Sequence, residues 1–166
     1  MTLFNFLQAE PTAFIIISLI LGLIVGSFLN VVIYRLPVML EKEWQTQCRE
    51  LLEIKSEQAK DEKKFNLSTP ASRCPHCGHA IRIYENIPVL SYLFLGGKCS
   101  SCKTPISMRY PIIELVSGIL TAVIAWHFGY GWAALAAMFL TWSLIALTMI
   151  DYDHQLLPDN ITLPFL

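Results

Sequence analysis

No lysine or arginine stands before Arg35 or after Arg109; all twelve fall inside that window. A chain arranged this way has no basic domain of the kind that binds nucleic acid, so nucleic acid is not an expected partner. Charge is scarce altogether. With 15% charged residues against 54% hydrophobic, this is not the composition of an ordinary soluble domain. The net charge of −1 argues little by itself. There is no internal repeat and no low-complexity tract, which sets aside repeat architectures. The start lacks a basic n-region and a small-x-small cleavage site, and it carries Glu10, which argues against a cleaved signal peptide. What remains is two apolar flanks around one polar insert, and a mean hydropathy of +0.50 points to membrane spans.

From Pro11 to Tyr34 the chain has no charge, long enough to cross a hydrocarbon core of about 30 Å as a helix. Positive charge begins only after this stretch, which predicts an outside N-terminus and a cytoplasmic Arg35. Gly22, Gly26, Ser27 and Asn30 share one face of that helix. Small residues there permit close helix packing, and Asn30 seeks either a structural hydrogen-bond partner or a polar ligand. Residues 38–64 carry Leu40, Trp44, Cys48, Leu51 and Leu52 at helical spacing, which predicts an amphipathic helix on the membrane surface or against the polar insert. Leu115 to Ile150 has no Asp, Glu, Lys or Arg and exceeds one crossing. His127-Phe-Gly-Tyr-Gly131 divides it into an outgoing and a returning helix, bringing Ile150 back to the cytoplasmic face.

Within the insert, Cys74-Pro-His-Cys77 is answered by Cys99-Ser-Ser-Cys102. Two C-x-x-C knuckles at this separation suit one tetrahedral ion, and four thiolates favour structural Zn²⁺. Two disulfides or a redox pair are the alternatives, and they require an oxidising compartment. A cytoplasmic insert favours zinc. His76 and His79 read as exposed loop residues, and Cys48 has no metal role. The apolar stretch between the knuckles is too short to cross a bilayer and reads as a loop in the headgroup layer, with Gly96 and Gly97 permitting a sharp turn.

Arg109-Tyr-Pro111 opens the second apolar block, with Glu114 placed in the first turn. Glu114 is either a functional carboxylate or the partner of Arg109 in an ion pair that anchors the helix end. At the end of the third apolar helix stand Asp151, Asp153 and Asp159. A carboxylate there can act as general base toward water when a second one shares its proton. Asp151 and Asp153 are two apart and do not face each other on a helix, so they do not make such a pair. Blandly read, all three form a polar helix terminus.

Together these residues resemble the bacterial type IV prepilin peptidases, bifunctional leader peptidase/N-methyltransferases of the inner membrane. The likeness runs through Gly26-Ser-Phe-Leu-Asn-Val-Val-Ile-Tyr-Arg-Leu-Pro37, the four cysteines, Glu85-Asn-Ile-Pro88 and Gly97-Lys-Cys99. It continues through Arg109-Tyr-Pro-Ile-Ile-Glu114 and Asp151-Tyr-Asp-His-Gln-Leu-Leu-Pro-Asp159. The resemblance implies an aspartic-type membrane endopeptidase that cuts the leader from prepilins and pseudopilins after a glycine. It implies methylation of the new N-terminal amine, usually of Phe, with S-adenosylmethionine as donor. The first catalytic aspartate maps onto Asp151 and the zinc ligands onto Cys74, Cys77, Cys99 and Cys102. Gly97 matches a glycine linked to methyl transfer, with Glu114, Arg109, Asn30 and Asp153 as supporting residues. The family's second aspartate belongs to a Gly-x-Gly-Asp motif that this sequence lacks, since Gly129-Tyr-Gly131 is followed by Trp132. The expected chain is therefore an N-terminal fragment, inactive alone as a peptidase.

The expected fold is an α-helical multi-pass membrane protein with a cytoplasmic four-cysteine zinc module between its first and second transmembrane helices. The expected order is a periplasmic N-terminus (1–12), span 1 (13–34), and a cytoplasmic amphipathic helix plus zinc module (35–110). Span 2 (111–128), span 3 (132–150), and a cytoplasmic catalytic loop leading into a truncated helix (151–166) follow. A non-catalytic zinc-binding membrane scaffold is the competing function.

Overall fold

The computed structural model describes residues 8–52 and 65–165. Residues 1–7 of the expected periplasmic segment and 53–64 of the expected amphipathic helix lie outside the described residues, as does Leu166. The described residues are helical, with isolated β-bridges in place of a sheet. Helix α1 runs Pro11–Leu51, α2 is the short Leu90–Phe94, α3 is Arg109–Phe128, α4 is Trp132–His154 and α5 is Asp159–Thr162. Two 3-10 turns, Ile83–Asn86 and Leu163–Phe165, complete the order. Helices α1, α3 and α4 are long and apolar enough to cross a membrane.

Helix α1 begins with proline at its first turn, where no amide partner is needed. Against expectation it does not stop at Tyr34. It continues through Pro37 to Leu51 as one helix of 41 residues, so the separate amphipathic helix beginning at 38 is corrected to an extension of span 1. Nothing between Arg35 and Leu40 supplies a cap or glycine. One internal proline costs the helix a single Ile33 carbonyl bond and is outvoted by good helix formers on both sides. Beyond Leu40 the extension is exposed on every face.

The spans join through small residues. A Cβ at Gly26 would stand 2.8 Å from the Glu114 Cα, and one at Gly22 would stand 2.5 Å from the Thr121 hydroxyl. Both glycines therefore let α1 lie backbone-to-backbone on α3, the way membrane helices associate without a hydrophobic driving force. Helix α4 closes the bundle, with the Trp142 indole donating to the Thr121 hydroxyl at 2.9 Å. At one end Leu29, Ile33, Leu36, Ile113, Ala146 and Ile150 form the core; at the other, Phe14, Ala125, Ala134 and Met138 do. Ile16, Ile24, Ile119 and Phe139 point outward, an apolar belt suited to lipid.

Candidate functional site

The two knuckles repeat one local design. A bridge pairs Arg73 with Ala80 around the first and Lys98 with Pro105 around the second. The amide of the leading cysteine donates across the turn, Cys74 to the His79 carbonyl and Cys99 to the Thr104 carbonyl, both at 2.9 Å. The residue after the trailing cysteine must then adopt positive φ: Gly78 (72°) in one, Lys103 (60°) in the other. This turn puts each C-x-x-C pair on one side of its loop. The four sulfurs lie within 4.8 Å of one another and can hold a metal ion.

The thiols differ in proton affinity. The Thr104 hydroxyl, then its amide, hold Cys102 down at about 6, and amides of Cys77 and His76 lower Cys74. Cys77 accepts from the His79 amide, which pulls it down, but burial and the neighbouring sulfurs outweigh this and push it up to about 11. Four like groups so close cannot all ionise on their own charge; a cation at their centre is what lets them.

Around the cluster sits a polar support. Glu85 accepts the Arg82 amide at 2.8 Å and meets His79 Nε2 at 3.3 Å, and these contacts with that of Ser100 hold its carboxyl below the usual glutamate range. His76 is exposed as expected. His79 is corrected: it is half-buried, turned toward Glu85 because the knuckle's bridge fixes its backbone. Gly97 has φ 67°, and a Cβ there would lie 2.8 Å from the Tyr92 hydroxyl, which donates to the Ile106 carbonyl. The glycine is thus required twice, by conformation and by space.

At the bundle's end, Asp151 is exposed in the last turn of α4. Asp153 is engaged: the Arg109 guanidinium grips both its oxygens, at 2.8 and 2.5 Å. That rules out the Arg109–Glu114 ion pair, one of the two readings of Glu114. Helix α3 starts at Arg109 itself, so Glu114 falls in the second turn, buried against α1, on another face from Arg109. Its Oε2 accepts the Val89 amide at 2.8 Å. Asn30 has the structural partner, donating to the Tyr110 carbonyl at 3.2 Å. The structure thus joins Asn30 and Glu114 to the α1–α3 contact, Gly97 to the second knuckle, and Arg109 and Asp153 to each other. Arg35 escaped the sequence reading as more than a charge boundary. It is buried and donates to the carbonyls of Asn66, Leu67 and Pro70 at 3.0, 3.3 and 2.6 Å, and no local pattern marks an arginine that binds main chain.

The described residues thus form a helical protein with three helices long and apolar enough to cross a membrane and a four-thiol cluster that can hold a metal ion. Residues 20–128 match the family model described as Bacterial Peptidase A24 N-terminal domain, and the chain belongs to that family. The chain is 57% identical over its whole length to the prepilin leader peptidase/N-methyltransferase of Stutzerimonas stutzeri, covering 57% of that protein. It is 52% identical, again over its whole length, to the protein of that name from Pseudomonas aeruginosa, covering 57% of it. The Neisseria gonorrhoeae protein of that name is 51% identical over 90% of the chain, which covers 52% of it. The chain therefore spans little more than half the length of these relatives. No solved structure matches.

Proposed function

We propose that this chain supplies the N-terminal part of a prepilin leader peptidase and N-methyltransferase at the cytoplasmic face of the bacterial inner membrane. The observation carrying this reading is Asp151, the exposed carboxylate at the end of a span-length helix. Its neighbour Asp153 is occupied by Arg109 and not free to share a proton. Asp151 then acts as one of two acid/base carboxylates that activate water against the peptide bond after the leader's glycine. The second carboxylate is that of the family's Gly-x-Gly-Asp motif. The substrates are prepilins and pseudopilins, and S-adenosylmethionine supplies the methyl group when bound. In the complete protein, Asp151→Asn abolishes leader cleavage, scored as processed and unprocessed pilin on a gel, while Asp153→Asn leaves some. Undiminished cleavage by the Asp151→Asn protein would remove the reading.

The metal we assign is Zn²⁺. A tetrahedron with arms of about 2.3 Å has edges of about 3.8 Å, and the Cys74–Cys102 and Cys77–Cys99 sulfurs are 3.8 and 4.0 Å apart. Such a closed site is structural, pinning the two knuckles together. The charge distribution supports a cytoplasmic insert, from residues 35 to 110, with spans near 13–34, 111–128 and 132–150 and the 151–166 segment on the same side.

A further inference from the structure

The stretch between the knuckles meets the bundle at an unexpected depth. Val89 donates its amide to Glu114, and Glu114 packs at Gly26 of α1. Gly26 is nine positions before Arg35, about 13 Å along the helix, and Glu114 is five positions after Arg109, about 7.5 Å. Both measures put the Glu114 backbone on the apolar side of the charged ends of α1 and α3, with Val89 hydrogen-bonded to its carboxylate. An irregular backbone at that depth is tolerated only when its polar groups are satisfied by protein. Here they are. Pro88 has no amide hydrogen, Val89 is taken by Glu114, Leu90 donates to the Pro88 carbonyl, and Ser91 donates to the Ile87 carbonyl. The Leu90 bond closes a γ-turn on Val89, whose φ of 59° is foreign to a β-branched residue and persists only where its surroundings hold it. The buried carboxylate is what holds it.

The side chains of this stretch agree. Tyr92 is turned in toward Ile106, while Leu90, Leu93 and Phe94 face out, Phe94 being 87% exposed. We infer that residues 87–95 dip into the bilayer beside α1 and α3 as a short re-entrant element, anchored by Glu114, with Leu90, Leu93 and Phe94 on lipid acyl chains. Three large apolar side chains exposed beside the Glu114 anchor, which lies inward of Arg35 and Arg109, identify the occupant as lipid. The inference requires that α1 and α3 span; it does not require the peptidase reading.

The test is photocrosslinking of the complete protein in its own membranes, with benzoylphenylalanine at Phe94 or Leu93. Ile119 on the outer face of α3 serves as the lipid-facing control and Trp44 on the α1 extension as the solvent-facing one. Acyl-chain adducts at 93 and 94 matching those at 119, by mass spectrometry, are expected; adducts absent as at 44, or formed only with protein, would overturn the inference. The anchor is tested separately by hydrogen exchange in nanodiscs. Glu114→Ala is expected to speed exchange of the Val89 amide about tenfold, the scale of one charge-assisted hydrogen bond, with zinc content kept, and Glu114→Gln to speed it less. Equal exchange in wild type and Glu114→Ala would refute the anchor.

Discussion

Gly97 shows how one residue can matter at a distance from any chemistry. With φ at 67° and the Tyr92 hydroxyl 2.8 Å from where a Cβ would be, an alanine here, two residues before Cys99, is strained and also displaces Tyr92. Gly97→Ala is expected to destabilise the module by about 1–3 kcal/mol. The check is zinc release by a chelator, faster in the variant than in wild type. By contrast Gly96→Ala meets open space and suffers only from its φ of 62°, so its effect is the smaller. Glu85 makes a second residue-scale case. Its folded pKa is lowered by the Arg82 amide and Ser100, so its stabilising effect is present above its unfolded value near 4.5 and disappears as pH falls through the folded value. Glu85→Gln is therefore expected to lower module stability at neutral pH, with the gap to wild type closing in acid below about 4. Thermal unfolding of both proteins across pH 3–7 reads this directly. A gap that stayed constant with pH would assign the effect to packing instead.

Among the elements, the α3–α4 contact is fastened at its charged end by Arg109 and Asp153, side chains 36% and 26% exposed. Solvent screening keeps such a pair small, about 0.5–1 kcal/mol even with bidentate geometry. A double-mutant cycle with Arg109→Ala and Asp153→Ala is expected to return a coupling of that size, weaker in high salt. The exchanged pair, Arg109→Asp with Asp153→Arg, should recover part of what either single change loses. The elements themselves were legible in the sequence to the extent that hydrophobic runs dictate them. Leu115 to Ile150 was divisible at Gly129 and Gly131 because the φ of 66° with ψ of −169° that ends α3 is essentially open to glycine alone. The four cysteines were legible because thiolate spacing is set by short-range turn geometry. The end of α1 and the start of α3 were not. Whether Pro37 stops a helix, and whether Glu114 meets Arg109 or Val89, depends on what packs alongside, and local pattern holds no record of a partner 25 residues away. His79 was misjudged, and the main-chain contacts of Arg35 were missed, for the same reason.

At the scale of the whole molecule, every functional statement depends on which side of the bilayer holds the insert. All twelve basic residues lie between Arg35 and Arg109, which argues for the cytoplasm. In the topology we propose, three spans carry the chain from an outer N-terminus to an inner Asp151, on the same side as the cysteines. Reducing conditions there keep the sulfurs as thiolates for a metal. Cys48 offers an independent probe, because it is exposed on the α1 extension and stands apart from the metal cluster. A membrane-impermeant maleimide added to spheroplasts is expected to leave Cys48 unmodified, and the same reagent added to inverted vesicles is expected to label it fully. Labelling is followed by mass shift, with Cys48→Ser as the blank. The cluster cysteines should resist in both preparations until a chelator is added, and then react only in inverted vesicles. Modification of Cys48 from outside would put the knuckles in the periplasm, where disulfides are favoured over zinc, and would part Asp151 from any substrate presented on the inner side.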